Sequence, residues 1–341
     1  MKFLKRLLTL ILVLILAAVA VIYYLSSSHV DISAYDSWTV PASEPAPPGK
    51  VQVRFAGVAT LAITDGETTL MTDGFFSRPG DFQLLFDKIE PDMAGITYGL
   101  EKLKVDKLAA IMTVHSHYDH AMDTPEVAKR TGAIMIGSES TANIGRGWGL
   151  PEGQIKVIKS GEPMTFGAFT VTAIKSKHFA FPDGFIARRI AAGPQEITSP
   201  VKPPIGAFDY REGGHYAYVI SHPSGTLLIQ GSAGYVNDSL KGIDADVVML
   251  GIGGLGSQND DYGARYFAET VDMTAPKLVF AIHADDLAGP LDQPFRGPSL
   301  LVDKLLGSTI PSYEMFKREM EKRPTIKYGM LPRWAPVTLF E

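Results

Sequence analysis

Three of the eight histidines in this chain fall within six consecutive residues, in the motif His-Ser-His-Tyr-Asp-His at positions 115–120. On an extended stretch, side chains two residues apart point the same way, so His115 and His117 can converge on one cation. Asp119 and His120 then turn toward a neighbouring position. Neutral imidazoles suit Zn²⁺ and other borderline cations, and a carboxylate adds compensating charge. The motif therefore predicts a metal site.

The alternative interpretation of this motif is a polar loop packed against a helix start. We disfavour it because four ligand-type side chains cost free energy when they are desolvated without a partner. The chain contains no cysteine, which excludes disulfides, thiolate-ligated zinc, iron–sulfur clusters and a cysteine nucleophile. Any metal must therefore be held by histidine, aspartate, glutamate or other oxygen ligands.

The elements around the motif are short apolar strands that alternate with turns and helices. The motif directly follows the apolar run 108–114, which predicts a strand buried on both faces. Other predicted strands and helices are an alternating strand at 51–55, a hairpin of 61–64 and 69–72, a helix starting at Thr124, a strand at 133–136, hairpins at 165–174 and 215–230, strands at 247–250 and 277–282, and helices at 262–271, 299–306 and 312–322. Two halves of this kind predict an α+β fold, a four-layer αββα sandwich of two sheets packed face to face with helices outside.

The composition sets limits on the class of protein. The chain has 341 residues, with 32 Lys and Arg against 37 Asp and Glu and a formal net charge of −5 at pH 7. This charge rules out a strongly basic nucleic-acid binder. With 45% hydrophobic and 20% charged residues, the chain can bury a proper core and is not a disordered polymer.

The N-terminus carries an apolar run at residues 7–25 that is long enough to cross a bilayer. Lys2, Lys5 and Arg6 precede it, so we expect a cytoplasmic N-terminus and an extracytoplasmic catalytic domain, periplasmic in a Gram-negative cell. The alternative is a cleaved signal peptide, because residues 18–20 read Ala-Val-Ala. We predict three parts: a transmembrane anchor at 1–25, a Pro- and Ser-rich tether at 26–49 and a folded domain at 50–341.

A long segment rich in Pro and Gly, residues 181–214, interrupts the second half of the predicted domain. Loops of more than about 15 residues are usually functional lids or disordered insertions, and a plain surface insertion stays open as well. The segment contains Arg188, which would bind an anionic substrate group if the segment folds over the site; an exposed charged pair with Arg189 is the alternative.

At its histidine motif the chain resembles the metallo-β-lactamase superfamily, over about residues 51–341. The resemblance rests on Phe55-Ala-Gly57, Asp73, the 115–120 motif, His178, and His283 within Ala-Ile-His-Ala-Asp-Asp. Gly253-Gly254 and the His-Ala-Asp-Asp ending look closest to lactonase-like and phosphodiesterase-like members. The resemblance implies one or two zinc ions, with manganese or iron as alternatives. The implied ligands are His115, His117 and His178 for one metal and Asp119, His120 and His283 for a second, with Asp73 as an acidic support.

The chain departs from the family pattern at one position. Where the family usually carries Gly-Asp-Thr with a carboxylate that bridges both metals, this chain reads Gly231-Ser232-Ala233. A serine hydroxyl is a far weaker ligand and brings no negative charge, so one well-filled and one weak site is expected. We also expect His215, which opens the strand paired with the one leading to Ser232, to approach the site, and Tyr235 to support ligands or contact substrate.

Three functions are compatible with these residues. The first is a membrane-anchored hydrolase of ester, lactone or phosphodiester bonds, which uses a metal-bound hydroxide with Asp119 as the orienting or proton-accepting residue. Its substrate would be a small molecule or a lipid-like molecule, since the anchor at 7–25 favours lipid or envelope substrates. The second is a non-hydrolytic metal-binding scaffold, owing to Ser232. The third is a redox enzyme of the same fold that would need iron.

Overall fold

A computed structural model describes residues 2–184, 188–189, 192, 195–306 and 308–340 of the chain. Within this described part, two sheets of seven strands each form the framework. The first sheet has the order β16-β1-β2-β3-β5-β6-β7. Its strands are β1 (Gln52–Gly57), β2 (Thr60–Thr64), β3 (Thr69–Thr72), β5 (Ala110–Met112), β6 (Ile134–Gly137), β7 (Ile155–Val157) and β16 (Val337–Thr338).

The second sheet has the order β15-β14-β13-β12-β11-β9-β8. Its strands are β8 (Pro163–Phe166), β9 (Phe169–Ser176), β11 (His215–His222), β12 (Gly225–Gln230), β13 (Val247–Gly251), β14 (Leu278–Ile282) and β15 (Lys327–Met330). The short strands β4 (Lys88–Ile89) and β10 (Ile205–Gly206) pair with each other at one side. Each large sheet mixes antiparallel hairpins with a parallel block, β3-β5-β6-β7 in the first and β12-β13-β14-β15 in the second.

The helices connect these strands. They are α1 (Lys2–Ser27), α2 (Asp81–Phe86), α3 (Met93–Leu103), α4 (Tyr118–Ala121), α5 (Thr124–Thr131), α6 (Glu139–Trp148), α7 (Asp260–Phe267), α8 (Leu300–Leu306) and α9 (Thr309–Glu321). A π-helical turn at Ala268–Asp272 continues α7, and short 3₁₀ helices occupy Ser33–Trp38, Glu152–Gln154, Ala207–Asp209 and Leu255–Ser257.

The core lies in three apolar layers that the two sheets separate. Between the sheets, side chains of both pack together, including Leu61 and Met112 from the first and Ile229 and Phe280 from the second. The outer face of the first sheet packs against α3 and α5, and the outer face of the second packs against α7 and α9. This arrangement is the predicted four-layer αββα sandwich, in which each sheet buries one face against the other sheet and one face against helices.

The predicted strand at 108–114 is too long. Strand β5 ends at Met112 because the following backbone leaves the ladder for other partners: Val114 N–H donates to Asp73 Oδ1 at 2.9 Å and Tyr216 N–H donates to Val114 O at 3.0 Å. The three predicted hairpins are present, as β2–β3, β8–β9 and β11–β12. Helices α2, α3, α4 and α6 were not predicted.

Helix α1 is the one described helix that is long and apolar enough to cross a membrane. It has 26 residues, begins before the predicted run 7–25 and ends two residues after it. No α1 side chain is buried against the protein, so its apolar surface is free to face lipid.

The predicted tether at 26–49 is not an extended linker over residues 28–40. In the 3₁₀ helix Ser33–Trp38, the Tyr35 ring stacks on the Tyr313 ring with a centroid distance of 4.3 Å. The ring centroids of Trp38 and Phe316 are 5.7 Å apart. Val40 N–H also donates to Met330 O at 3.0 Å. The aromatic side chains of this segment gain apolar contact with α9, which a Ser- and Pro-rich composition does not reveal.

We expect Trp38→Ala to lower the free energy of unfolding by about 2 kcal/mol, less than the ~3–5 kcal/mol of a fully buried aromatic because Trp38 is half-buried. Chemical unfolding of the full chain in detergent, followed by near-ultraviolet circular dichroism, measures this. Ser37→Ala, at an exposed position of the same turn, is the control. Equal stability of the two variants would mean that residues 33–38 do not belong to the folded unit.

Candidate metal centre

The candidate centre lies where several strands end. The 115–120 motif follows the carboxyl end of β5, His283 directly follows β14, and Ser232 and His178 follow β12 and β9 by two residues. Asp73 directly follows β3. Crevices outside the carboxyl ends of parallel strands are common ligand sites in α/β sheets, because backbone there leaves the ladder and side chains can converge. Both sheets therefore contribute to one edge of the sandwich.

The first cluster consists of His115, His117 and His178, whose offered ligand atoms all lie within 4.8 Å of one another. His115 Nε2 is 2.9 Å from His117 Nδ1. The His178 ring centroid is 5.0 Å from that of each of the other two. His178 Nδ1 donates to its neighbouring carbonyl, Phe179 O, at 2.8 Å, which leaves Nε2 for the centre.

The second cluster consists of Asp119, His120 and His283 and satisfies the same 4.8 Å limit. Asp119 Oδ2 lies 3.4 Å from His120 Nε2 and 3.3 Å from His283 Nε2, and the two Nε2 atoms are 3.1 Å apart. The ring centroids of His115 and His120 are 4.0 Å apart, so the two clusters are adjacent. The structure thus brings together all six predicted ligands.

Burial and neighbouring charges determine the protonation of the first cluster. Burial lowers the pKa of His117 to about 4 and holds the pKa values of His115 and His178 well below their usual range, an effect that the surrounding imidazoles increase. These three rings are therefore neutral at pH 7, and each has a nitrogen lone pair to offer.

The second cluster combines opposite charges. Burial alone would lower the pKa of His120, but attraction to Asp119 and Asp73 outweighs burial and raises it. Burial alone would raise the pKa of Asp119, but His120 and His283 outweigh it and lower the pKa below its usual range. Asp119 is thus an ionised carboxylate at neutral pH, as a cation ligand must be.

The donor set fits a divalent cation. Two imidazole nitrogens face each other at 2.9 Å between His115 and His117, and at 3.1 Å between His120 and His283. Two N–H groups cannot point at each other at such distances, so at least one nitrogen of each pair offers its lone pair. Within the described residues, His115 Nδ1 and Ser232 Oγ are buried without a hydrogen-bond partner. Five imidazoles and one carboxylate are the ligand types that zinc and similar borderline cations accept.

Asp73 orients His120. Asp73 Oδ2 lies 2.7 Å from His120 Nδ1, and both side chains are fully buried. Its Oδ1 accepts from Val114 N–H, and its carbonyl accepts from Thr124 Oγ1 at 2.6 Å. Because Nδ1 is occupied by this hydrogen bond, Nε2 is the nitrogen that His120 presents to the centre.

His283 is held by strained backbone at the end of β14. Its φ of +56° lies in the left-handed region, which is uncommon for a residue other than glycine. The His283 N–H donates to Val58 O at 2.7 Å. Gly253 lies against this turn so closely that a Cβ there would be 2.2 Å from His283 O. The close approach requires glycine at 253.

His215 and Ser232 are buried close to this arrangement. The His215 ring is 2% exposed and its centroid is 4.7 Å from that of His115; neither of its nitrogens has a partner among the described residues. Ser232 is also buried, and its carbonyl accepts from Tyr266 Oη at 3.2 Å. In the same turn, Gly234 packs against the backbone of residues 177–178, next to the ligand candidate His178.

Two predicted residues are not brought to the centre. The Tyr235 ring packs against Tyr262, with a centroid distance of 5.3 Å, on the outer face of the second sheet. Arg188 is exposed. Neither residue is among the described residues that line the cavity over the centre.

A cavity of about 220 Å³ opens over the two clusters. Its floor includes His117, Asp119, His178 and His283. Most of its wall is apolar. Phe181 and Phe208 come from segment 181–214, which the sequence singled out, whereas Leu84, Leu85, Phe179, Leu287 and Val302 carried no sequence signal for a site. The sequence did not reveal these residues, because an apolar side chain reads the same whether it fills the core or lines a cavity.

We expect Asp73→Asn to lower zinc affinity about 10–100-fold, because an amide nitrogen cannot accept the hydrogen bond that orients His120. The Asn oxygen can still accept from Val114 N–H, so the fold should persist, and circular dichroism checks this. Competition with a chromophoric chelator measures the affinity. Asp106→Asn is the control, since Asp106 is exposed and precedes β5, at the opposite end of the strand from the motif. Equal affinities of the two variants would contradict a positioning role for Asp73.

Comparison with known proteins places these features in a family. The family described as the Beta-lactamase superfamily domain matches residues 52–283 of the chain. A UPF0173 metal-dependent hydrolase of Pyrobaculum islandicum is 24% identical over 241 residues, which cover 68% of this chain and 84% of that protein. A second relative with that name, from Anaeromyxobacter dehalogenans, is 35% identical over 89 residues, about a quarter of either chain.

Among solved structures, the chain is similar to Igni18, a metallo hydrolase of Ignicoccus hospitalis. The TM-score is 0.51 at 15% identity, and the match covers 86% of this chain and 99% of that one. At this identity the likeness concerns the fold, and it agrees with the αββα layers described above. The family match covers strands β1 to β14 and both histidine clusters, and the chain belongs to the metallo-β-lactamase superfamily.

Proposed function

We propose that this protein is a membrane-anchored, zinc-loaded hydrolase of ester, lactone or phosphodiester bonds. The observation that carries the proposal is the pair of adjacent, buried donor clusters on the floor of an open cavity. The relatives reported above are named metal-dependent hydrolases, which supports the same reaction class. The protein is accordingly a metal-dependent hydrolase, with its substrate and its metal as the proposed details.

The residues of the two clusters have separate tasks. His115, His117 and His178 would hold one cation, and Asp119, His120 and His283 would hold a second. A bound zinc supplies Lewis-acid polarisation of the scissile oxygen and activates water. Asp119 lines the cavity with one oxygen between two imidazoles, so its carboxylate can orient the attacking water and accept its proton.

Two further features are part of the proposal. Helix α1 would cross the membrane with Lys2, Lys5 and Arg6 on the cytoplasmic side, which puts the centre outside the cytoplasm. Segment 181–214 would act as a lid. In support of the lid, Phe181, Phe208 and Tyr210 of this segment line the cavity.

We expect the purified full chain to contain at least one zinc, and His117→Ala to lose it, because the mutation removes one of three neutral ligands. Plasma mass spectrometry measures the metal. A panel of soluble esters, lactones and phosphodiesters measures turnover, which a chelator should abolish and added zinc restore. His222→Ala is the control, since His222 is the last residue of β11, contacts Ser224 and Asp65 and belongs to neither histidine cluster. Metal-loaded protein that turns over nothing on the panel would contradict the hydrolase.

The second candidate function is a non-hydrolytic metal-binding scaffold, and Ser232 is the observation that favours it. Under the hydrolase proposal, Ser232→Asp should tighten the weaker metal about 10–100-fold, because it adds a carboxylate to a buried turn at the centre. Ser232→Asn, of the same size without the charge, is the control. Turnover that appears in Ser232→Asp and is missing from the parent would establish the scaffold interpretation. Kinetics and zinc titration of the three proteins decide between the two functions.

A further inference from the structure

The wall of the cavity is fixed to the end of the candidate membrane span. The backbone just after α1 pairs with the backbone just before α8: Leu300 N–H donates to Ser28 O at 2.8 Å and Val30 N–H donates to Pro298 O at 3.0 Å. Pro298 and Val302 both line the cavity. These hydrogen bonds place the start of α8 directly beside the point where α1 ends.

This connection sets the height of the cavity relative to a bilayer. Tyr23 and Tyr24 are exposed near the end of α1, and tyrosine rings prefer the membrane–water interface. Ser28 follows Tyr24 by four residues, so its carbonyl lies about 6 Å further along the helix axis at 1.5 Å per residue. With α1 across a bilayer, the cavity wall at Pro298 would lie at the level of the membrane surface.

Helix α2 forms the neighbouring part of the same rim. Ser299 Oγ donates to Asp81 Oδ2 at the start of α2, which joins α2 to the start of α8. Leu84 and Leu85 of α2 line the cavity, whereas the Phe82 and Phe86 rings are 48% and 80% exposed. The two exposed rings stack at 6.4 Å. None of the six α2 residues is buried.

The rim thus carries large apolar side chains that are exposed next to a membrane anchor. Leu305 of α8 adds to them with 38% exposure. Exposed aromatic groups at this height have a natural partner in the headgroup and acyl region of a bilayer. An apolar lining alone is common in small-molecule sites, but here the lining continues outward onto exposed apolar side chains of α2 and α8.

We infer that α2 and α8 dip into the membrane surface and that the substrate is a bilayer lipid whose acyl chain enters the cavity between them. The inference rests on the proposed hydrolase function and names its substrate class. The lipid's ester or phosphodiester then reaches the floor of the cavity. Water adds to the acyl carbon or phosphorus, the bond to the leaving oxygen breaks, and the released alcohol takes up a proton.

The position of α2 can be tested without catalysis, because the chain has no cysteine. A nitroxide label on Phe86→Cys in the full-length protein, reconstituted into phosphatidylcholine vesicles, reports its surroundings by electron paramagnetic resonance. We expect the label to be accessible to oxygen and protected from a water-soluble nickel chelate. A label on Val157→Cys, on the edge strand β7, is the matched control and should be accessible to the chelate. Equal access of the chelate to both labels would overturn the inference.

The substrate class is tested with the same reconstituted protein. The vesicles carry a fluorogenic diacyl phospholipid, and p-nitrophenyl acetate and bis(p-nitrophenyl) phosphate serve as soluble probes. We expect the double variant Phe82→Ser/Phe86→Ser to lower turnover of the vesicle lipid about tenfold, because a tenfold change corresponds to the loss of about 1.4 kcal/mol of membrane contact. Hydrolysis of the soluble probes should stay unchanged. Val157→Ser should change neither activity. Val302→Trp, which fills the cavity, should lower the ratio of lipid to soluble turnover.

The possible results separate the inference from the function on which it rests. Turnover of the soluble probes without turnover of the vesicle lipid would reject the lipid and leave the hydrolase in place. Lipid turnover that is the same in the parent and in Phe82→Ser/Phe86→Ser would likewise reject entry from the membrane. No turnover of any probe by zinc-loaded protein would reject the hydrolase and, with it, the lipid as substrate, even if the Phe86 label lies in the bilayer.

Discussion

The buried hydrogen bond between Asp73 and His120 is the interaction on which the candidate centre depends. A carboxylate that is fully removed from water is costly unless its oxygens are occupied, and here each oxygen has a partner. Through these partners and the Thr124 hydroxyl, Asp73 connects the end of β3, the turn after β5 and the start of α5. One residue therefore joins the first sheet to the metal-binding motif.

The same constraint explains why the centre lies at an edge of the sandwich and not inside it. Between the sheets the side chains are apolar, and a polar cluster there would have no partners. At the strand ends the backbone is free of the ladder, as at Val114 and His283, and can supply hydrogen bonds and turn side chains inward. Buried imidazoles with unpartnered nitrogens, such as His115, are the residual polarity that a cation would satisfy.

Helix α1 and the wall of the cavity are physically connected in this structure. Hydrogen bonds join the residues after α1 to the start of α8, and aromatic packing joins the 3₁₀ helix Ser33–Trp38 to α9. Segment 28–40 thus transmits the orientation of α1 to the wall of the cavity. A freely jointed linker would leave the direction of α1 undefined relative to the cavity, whereas this packed segment fixes it.

The amino-acid sequence alone predicted those structural features of this protein that depend on local sequence patterns. Strand alternation and turn residues predicted the hairpins correctly. The predicted αββα arrangement and superfamily were also correct, because the histidine motif at 115–120 is contiguous in the sequence. Local propensity failed at α6, where Gly145 and Gly147 argue against a helix. Tertiary packing overrides the low helix propensity of these two residues and requires glycine at both positions. A Cβ at Gly145 would collide with Met135, and a Cβ at Gly147 would collide with the Val201 backbone.

Contacts between distant residues were decided by the tertiary structure alone. In the sequence Trp38 belongs to a predicted linker, but it packs on α9. Tyr235 is a predicted site residue, but it packs on Tyr262. His120 and His283 are 163 positions apart, and no spacing rule sets the distance between their rings. Composition and periodicity specify which face of an element is apolar. Only the packing of two sheets and the turns at their ends specifies which side chains meet.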